Sequence, residues 1–171
     1  HVPDGRALDF DNFCRLYEQR IVESGGIDLL ILGIGTDGHI AFNEPGSSLG
    51  SRTRLKSLTS ETIRDNARFF GSEAAVPRLA VTMGVGTILE SRRCVLIAIG
   101  AGKATAIRET VEGPITSQIT ASALQLHRDA IVIVDEAAAG LLARRDYYNE
   151  VEHAQSLLEA GRFRELGIGG Q

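Results

Sequence analysis

Two hydrophobic periods alternate along this chain. Four short apolar runs, Leu29–Ile34, Ala80–Met83, Cys94–Ile99 and Ala130–Val134, are each followed by glycine or aspartate. Runs without a polar alternation are the pattern of strands buried on both faces, as in parallel sheets. Between them the spacing changes to that of helices. Asp9–Glu23 places Phe10, Phe13, Leu16, Tyr17 and Ile21 near 3.6-residue spacing, and Glu61–Phe70 and Thr87–Ser91 are shorter stretches of the same kind. Lys103–Val111 and Ser117–His127 carry apolar faces separated by Gly113-Pro114, a helix break. From Glu136 to Ala160 the pattern is helical and charged. The alternation predicts an α/β fold with a parallel sheet and right-handed crossovers. It is read as one domain over residues 1–160 with a flexible tail over 161–171.

A parallel sheet puts the carboxyl ends of its strands on one edge, where such folds bind their ligands. Asp37 and His39, Gly84 and Gly86, Gly100 and Lys103, and Asp135 are therefore expected to face a common crevice. The densest of these segments is Gly33-Ile34-Gly35-Thr36-Asp37-Gly38-His39-Ile40-Ala41-Phe42-Asn43-Glu44-Pro45. Gly33, Gly35 and Gly38 satisfy the dinucleotide fingerprint G-x-G-x-x-G, but Pro45 would break the helix that motif needs. No acidic residue lies between Pro45 and Ser60 to meet a ribose, so the glycines read as a tight turn with close backbone approach. Asp37, His39 and Glu44 admit three readings: a metal triad, a proton relay or a polar turn. Their spacing matches no standard metal pattern. A carboxylate bound to an imidazole fixes its tautomer and raises its basicity, which suits proton transfer near neutral pH.

Cationic positions supply the next clues. Gly100-Ala101-Gly102-Lys103 closes a strand and opens a helix, where free N–H groups and an ammonium make a phosphate seat. Arg52, Arg54 and Lys56 alternate with Thr53, Leu55 and Ser57, so an extended segment would set all three cations on one face. Solvated edge cations and an anion site both fit that pattern. Arg68 precedes Phe69-Phe70 on a short helix. His127 reads as a satisfied core histidine and His153 as helix surface.

Composition narrows the classes. The 171 residues suffice for one core, and a net charge of −4 with pI near 5.6 argues against general nucleic-acid binding. No apolar run approaches the ~18 residues of a membrane span. Cys14 and Cys94 sit in no metal or redox spacing, which points to a reducing, cytoplasmic setting.

Taken together, Gly35–Leu49, Ser51–Arg54, Asn66–Phe70, Val81–Thr87, Leu124–His127 and Asp135-Glu136 closely resemble the glucosamine-6-phosphate deaminase family. The 6-phosphogluconolactonases share Asp-Gly-His but differ where this chain has Phe42-Asn43-Glu44-Pro45. The resemblance implies a Rossmann-like three-layer fold and conversion of glucosamine 6-phosphate and water to fructose 6-phosphate and ammonia, with no metal or organic cofactor. It implies that His39 opens the sugar ring with Asp37 and Glu44 holding it, and that Arg68 and Lys103 grip the phosphate. It further implies an effector site for N-acetylglucosamine 6-phosphate at Ser47, Arg54, Lys56, Ser57 and Tyr147 of a homohexamer. The family's glycine- and serine-rich phosphate loop and its C2 base have no match here. The chain, which opens on His1, is accordingly expected to be a carboxyl-terminal portion lacking the first part of the sheet and inactive alone. Two alternatives stand beside this reading: a sugar-lactone hydrolase, and a non-catalytic module that binds sugar phosphates.

Overall fold

A computed structural model describes residues 3–162, which fall into two compact units, one ending at Leu141 and the other beginning at Leu142. The first unit is built on three parallel strands, β1 (Leu29–Leu32), β4 (Arg93–Ala98) and β5 (Ala130–Val134), in the order β1-β4-β5. Their register pairs Ile31 with Val95 and Val95 with Ile131, so these side chains stand on one face. The opposite face of β4 carries Cys94, Leu96 and Ala98, all buried. The Cys94 thiol lies against Ile88 O and the Ser91 hydroxyl, at the end of helix α3 (Val85–Leu89).

The first face is open. Leu29, Ile31, Ile97, Ile131 and Ile133 are all exposed, Ile31 to 63% and Ile133 to 52%. Parallel sheets ordinarily have both faces covered, and the continuous apolar runs of these strands were read on that basis.

One strand of the expected sheet belongs elsewhere. β3 (Leu79–Thr82) pairs antiparallel with β2 (Arg54–Ser57) as a separate two-stranded sheet, joining Arg54 to Thr82 and Ser57 to Leu79 in register. The cause is the connection. Helix α2 (Ser60–Phe70) starts two residues after β2, and the chain turns back along β2 after it instead of crossing to the parallel sheet.

Helix α1 (Phe10–Glu23) is capped by Asp9, whose side chain accepts from Asn12 N, and buries Cys14. α2 is capped by Thr59 and stops at Gly71, which takes the left-handed conformation at φ 80°. Helix α4 (Ala104–Val111) follows a 3₁₀ turn at Ala101–Lys103.

The stretch read as a helix over Ser117–His127 is a 3₁₀ segment, Thr120–Leu126. Thr120, Ala121, Ser122 and Ala123 are buried, and their groups brace neighbouring loops. Ala121 N donates to Gly38 O, and Thr120 Oγ1 donates to Asn43 O while accepting from Ile40 N. Those tertiary bonds replace the i→i−4 ladder that the apolar spacing predicted.

In the second unit, residues 142–144 precede helix α5 (Arg145–Glu159), so the helical reading from Glu136 holds only from Arg145. Beyond Arg162, the tail assigned to 161–171 lies outside the described residues.

Candidate active site

β1 empties into the loop that holds the chemistry. Gly35 N donates to His39 O and Gly38 N to Gly35 O, closing a tight turn. A Cβ on Gly35 would stand 2.4 Å from the His39 ring, and one on Gly38 would stand 2.8 Å from Ile119. Gly38 also takes φ 84°, where side chains are strained. Gly35 and Gly38 serve close approach, as the sequence implied, whereas a Cβ on Gly33 would meet nothing within 4 Å.

The turn brings three groups together. His39 Nδ1 lies 2.6 Å from Asp37 Oδ1 and 3.6 Å from Glu44 Oε2. The side chains are 25%, 16% and 6% exposed for Asp37, His39 and Glu44, so the carboxylate of Glu44 is the deepest. Two carboxylate oxygens facing one ring nitrogen assign the proton to Nδ1 and leave Nε2 as the position that exchanges protons. The donor atoms of the three residues all lie within 4.8 Å of one another, near enough to share a cation. Nδ1, however, is committed to Asp37, and Glu44 Oε1 accepts from Thr59 N, Thr59 Oγ1 and Thr62 Oγ1. The arrangement therefore suits a proton relay better than a ligand set.

His39 borders a cavity of about 310 Å³ lined also by Gly33, Phe42, Thr62, Asp65, Asn66 and Lys103. Lys103 comes from the end of β4 and stands at the N-cap of α4. The shared carboxyl edge of the sheet thus brings Lys103 to line the same cavity as His39, although they are 64 positions apart in sequence. Arg68 takes another position. It is exposed, its guanidinium lies 4.7 Å from the centre of the Phe69 ring, and it is not among the residues lining this cavity. Asp135 accepts from Gly100 N and Ala138 N, and these bonds hold its carboxyl below the usual carboxylate range. It ties β4 to β5.

Thr59 and Thr62 escaped the sequence reading, as did Asp65 and Asn66. A threonine before a helix signals only a cap, and nothing local shows that the same hydroxyls bind a carboxylate fifteen and eighteen residues away. Asn66, in the motif beside Arg68, was the available signal for the cavity wall.

The basic segment is less free than its charge pattern implied. Arg52 bridges Glu18 and Glu90, each at 2.5 Å. Arg54 donates to Asn43 Oδ1 at 2.9 Å and to Arg52 O. Lys56 and Ser57 complete β2, and Ser47 is buried with a hydroxyl that has no hydrogen-bond partner. Tyr147 belongs to the second unit, where it packs edge-on against Tyr148 and beneath the Arg144 guanidinium. His127 is a core histidine as read: Nε2 faces Ser91 O at 2.9 Å, and Nδ1 accepts from Asp129 N.

Comparison with known proteins bears on this geometry. The family model for glucosamine-6-phosphate isomerases and 6-phosphogluconolactonase matches residues 1–133. A glucosamine-6-phosphate deaminase of Cellvibrio japonicus is 55% identical over 159 residues, covering 92% of this chain and 60% of its own. That of Shewanella loihica is 52% identical over 160 residues, covering 94% and 60%. A solved monomeric glucosamine-6-phosphate deaminase superposes with a TM-score of 0.80 at 47% identity, over 82% of this chain and 58% of its own. The 6-phosphogluconolactonase of Trypanosoma brucei, at TM-score 0.57 and 21% identity over 82% and 56%, shares the fold. The chain thus spans about 60% of the length of the curated relatives it matches. A parallel α/β sheet, an Asp–His–Glu turn at its carboxyl edge and a match over three-quarters of the sequence converge, and the chain belongs to the glucosamine-6-phosphate isomerase/6-phosphogluconolactonase family.

Proposed function

We propose that this chain carries the ring-opening part of a glucosamine-6-phosphate deaminase, which converts glucosamine 6-phosphate and water to fructose 6-phosphate and ammonia. The observation that carries the reading is the His39 ring, with Nδ1 held 2.6 Å from Asp37 and the ring bordering a cavity that also holds Lys103. Nε2 accepts the proton of the anomeric hydroxyl and returns it to the ring oxygen as the C1–O bond breaks. The carboxylates of Asp37 and Glu44 stabilise the imidazolium formed between the two transfers. Lys103 receives the phosphate at the start of α4, and Arg68 is assigned to the same group by the family resemblance. The route to the enolamine then needs proton transfers only; protonation at C1 gives an iminium at C2, to which water adds, and the C2–N bond breaks with release of ammonia. Abstraction of the C2 proton needs a base within hydrogen-bond reach, which the resemblance assigns to a part of the family sequence that this chain does not match. Ser47, Arg54, Lys56 and Ser57 are proposed to receive the phosphate of an N-acetylglucosamine 6-phosphate effector.

The test is a chimaera that joins this chain to the segment of the Cellvibrio relative that it does not match. Ammonia release from glucosamine 6-phosphate, lost in His39→Asn and regained in part with an open-chain substrate, is the expected result. Hydrolysis of a sugar-phosphate lactone without ammonia release would assign the site to the other branch of the family.

A further inference from the structure

The two oxygens of Glu44 are treated differently. Oε1 accepts three hydrogen bonds, from Thr59 N at 3.1 Å, Thr59 Oγ1 at 3.2 Å and Thr62 Oγ1 at 2.7 Å. Oε2 is buried, has no hydrogen-bond partner, and stands 3.6 Å from His39 Nδ1. A buried carboxylate oxygen left without a donor is costly, so the side chain must be held in this orientation from its other end. Thr62 is itself buried and lines the same cavity as His39. Its hydroxyl proton goes to Glu44, and the one hydroxyl proton of Thr59 lies between Glu44 Oε1 and Thr62 Oγ1, at 3.2 and 3.1 Å, so both threonines converge on Oε1.

We propose that Thr62, assisted by Thr59, is a positioning residue that aims the free oxygen of Glu44 at His39. Both threonines sit at the start of α2, and Thr59 N adds the positive end of that helix to the grip on Oε1. The same helix reaches the turn a second time, where Glu61 Oε1 accepts from Thr36 Oγ1 at 2.5 Å. α2 thus fixes the turn before Asp37 and the carboxylate beyond His39 from one rigid element. The effect of this grip on turnover rests on the function proposed above; the effect on the His39 ring does not.

The experiment reads that ring in the 171-residue chain, by ¹⁵N chemical shifts of the imidazole across pH, with His39→Asn assigning its signals among the four histidines. Thr62→Val keeps the shape and removes the hydroxyl. It is expected to move the His39 ring shifts, and Thr62→Ser, which restores the hydroxyl, to return them. Unmoved His39 shifts in a folded Thr62→Val chain would overturn the proposal. Glu44→Gln carries the test where Thr62→Val does not fold. With the threonines holding its oxygen, the amide turns N–H toward the protonated Nδ1, donor against donor, and the ring shifts change; an unchanged ring in Glu44→Gln would also overturn it. In the chimaera, Thr62→Val is expected to lower kcat about 10- to 100-fold with little change in KM, and Thr62→Ser to recover it. A chimaera with no deaminase activity even as wild type would count against the function while leaving the ring result standing.

Discussion

Arg54 donates to the side-chain oxygen of Asn43 at 2.9 Å, while the Asn43 amide donates to Ile40 O and Met83 O at 3.0 and 2.9 Å. Asn43 is fully buried, so one side chain joins β2, the end of β3 and the turn that carries His39 and Glu44. An anion that draws Arg54 toward itself would release one of those three ties, which gives the proposed effector segment a physical route to the site.

Asn43→Ala is expected to destabilise the chain by about 2–4 kcal/mol, because it removes three hydrogen bonds made by a fully buried side chain and leaves its volume unfilled. Urea unfolding measures it. Arg54→Ala, which leaves the Asn43 amide bonds in place, should cost about 1 kcal/mol.

Glu18 predicts a dependence on pH. Burial works to raise its carboxyl, but bonds from Thr53 and Thr87 and the charge of Arg52 outweigh burial and hold it below the ordinary value. A carboxyl lowered by folding contributes stability above its unfolded value, and loses it as pH falls through the folded one. The chain should therefore lose stability below about pH 4.5, and Glu18→Gln should flatten that part of the profile. At neutral pH the same substitution should cost about 1–2 kcal/mol, discounted because Arg52 is partly solvated.

Two glycines separate site from scaffold. Gly35→Ala should displace the His39 ring, with its Cβ at 2.4 Å, and abolish turnover of the chimaera. Gly84→Ala would drive its Cβ to 2.0 Å from Ser51 O, backbone that cannot swing aside. It should lower stability by about 3 kcal/mol or more. Thermal unfolding beside ammonia release distinguishes the two.

Lys103 and Arg68 should part company in substrate binding. Lys103→Ala removes a cation that lines the cavity and should weaken affinity for glucosamine 6-phosphate about 10-fold or more, consistent with the loss of a charge-assisted bond of roughly 1.5–3 kcal/mol. Arg68→Ala, whose guanidinium rests on Phe69, should weaken it less. Titration calorimetry on the chimaera decides between them.

The parts of this molecule legible in its sequence are those whose signal is local. Leu29–Leu32 declared itself by an unbroken apolar run, and the turn after it by glycines set around Asp37 and His39. Lys103 was legible because a strand end and a helix start bracket it. The β2–β3 pairing was not, since Arg-Leu-Lys-Ser carries mixed polarity and its partner is reached only through α2. Thr62 was hidden for the same reason: its partner is eighteen residues away and its type is ordinary in a first helical turn.

The open face of the three-stranded sheet has a thermodynamic consequence for the site itself. Five large aliphatic side chains there remain in contact with water, and enclosing them would yield on the order of 5 kcal/mol. That is comparable to the whole net stability of an ordinary domain. The turn bearing His39 hangs from β1, one of the strands whose side chains are left wet. Covering that surface would therefore stabilise the strand from which the imidazole-bearing turn emerges, at a place that includes none of the residues bonded to His39.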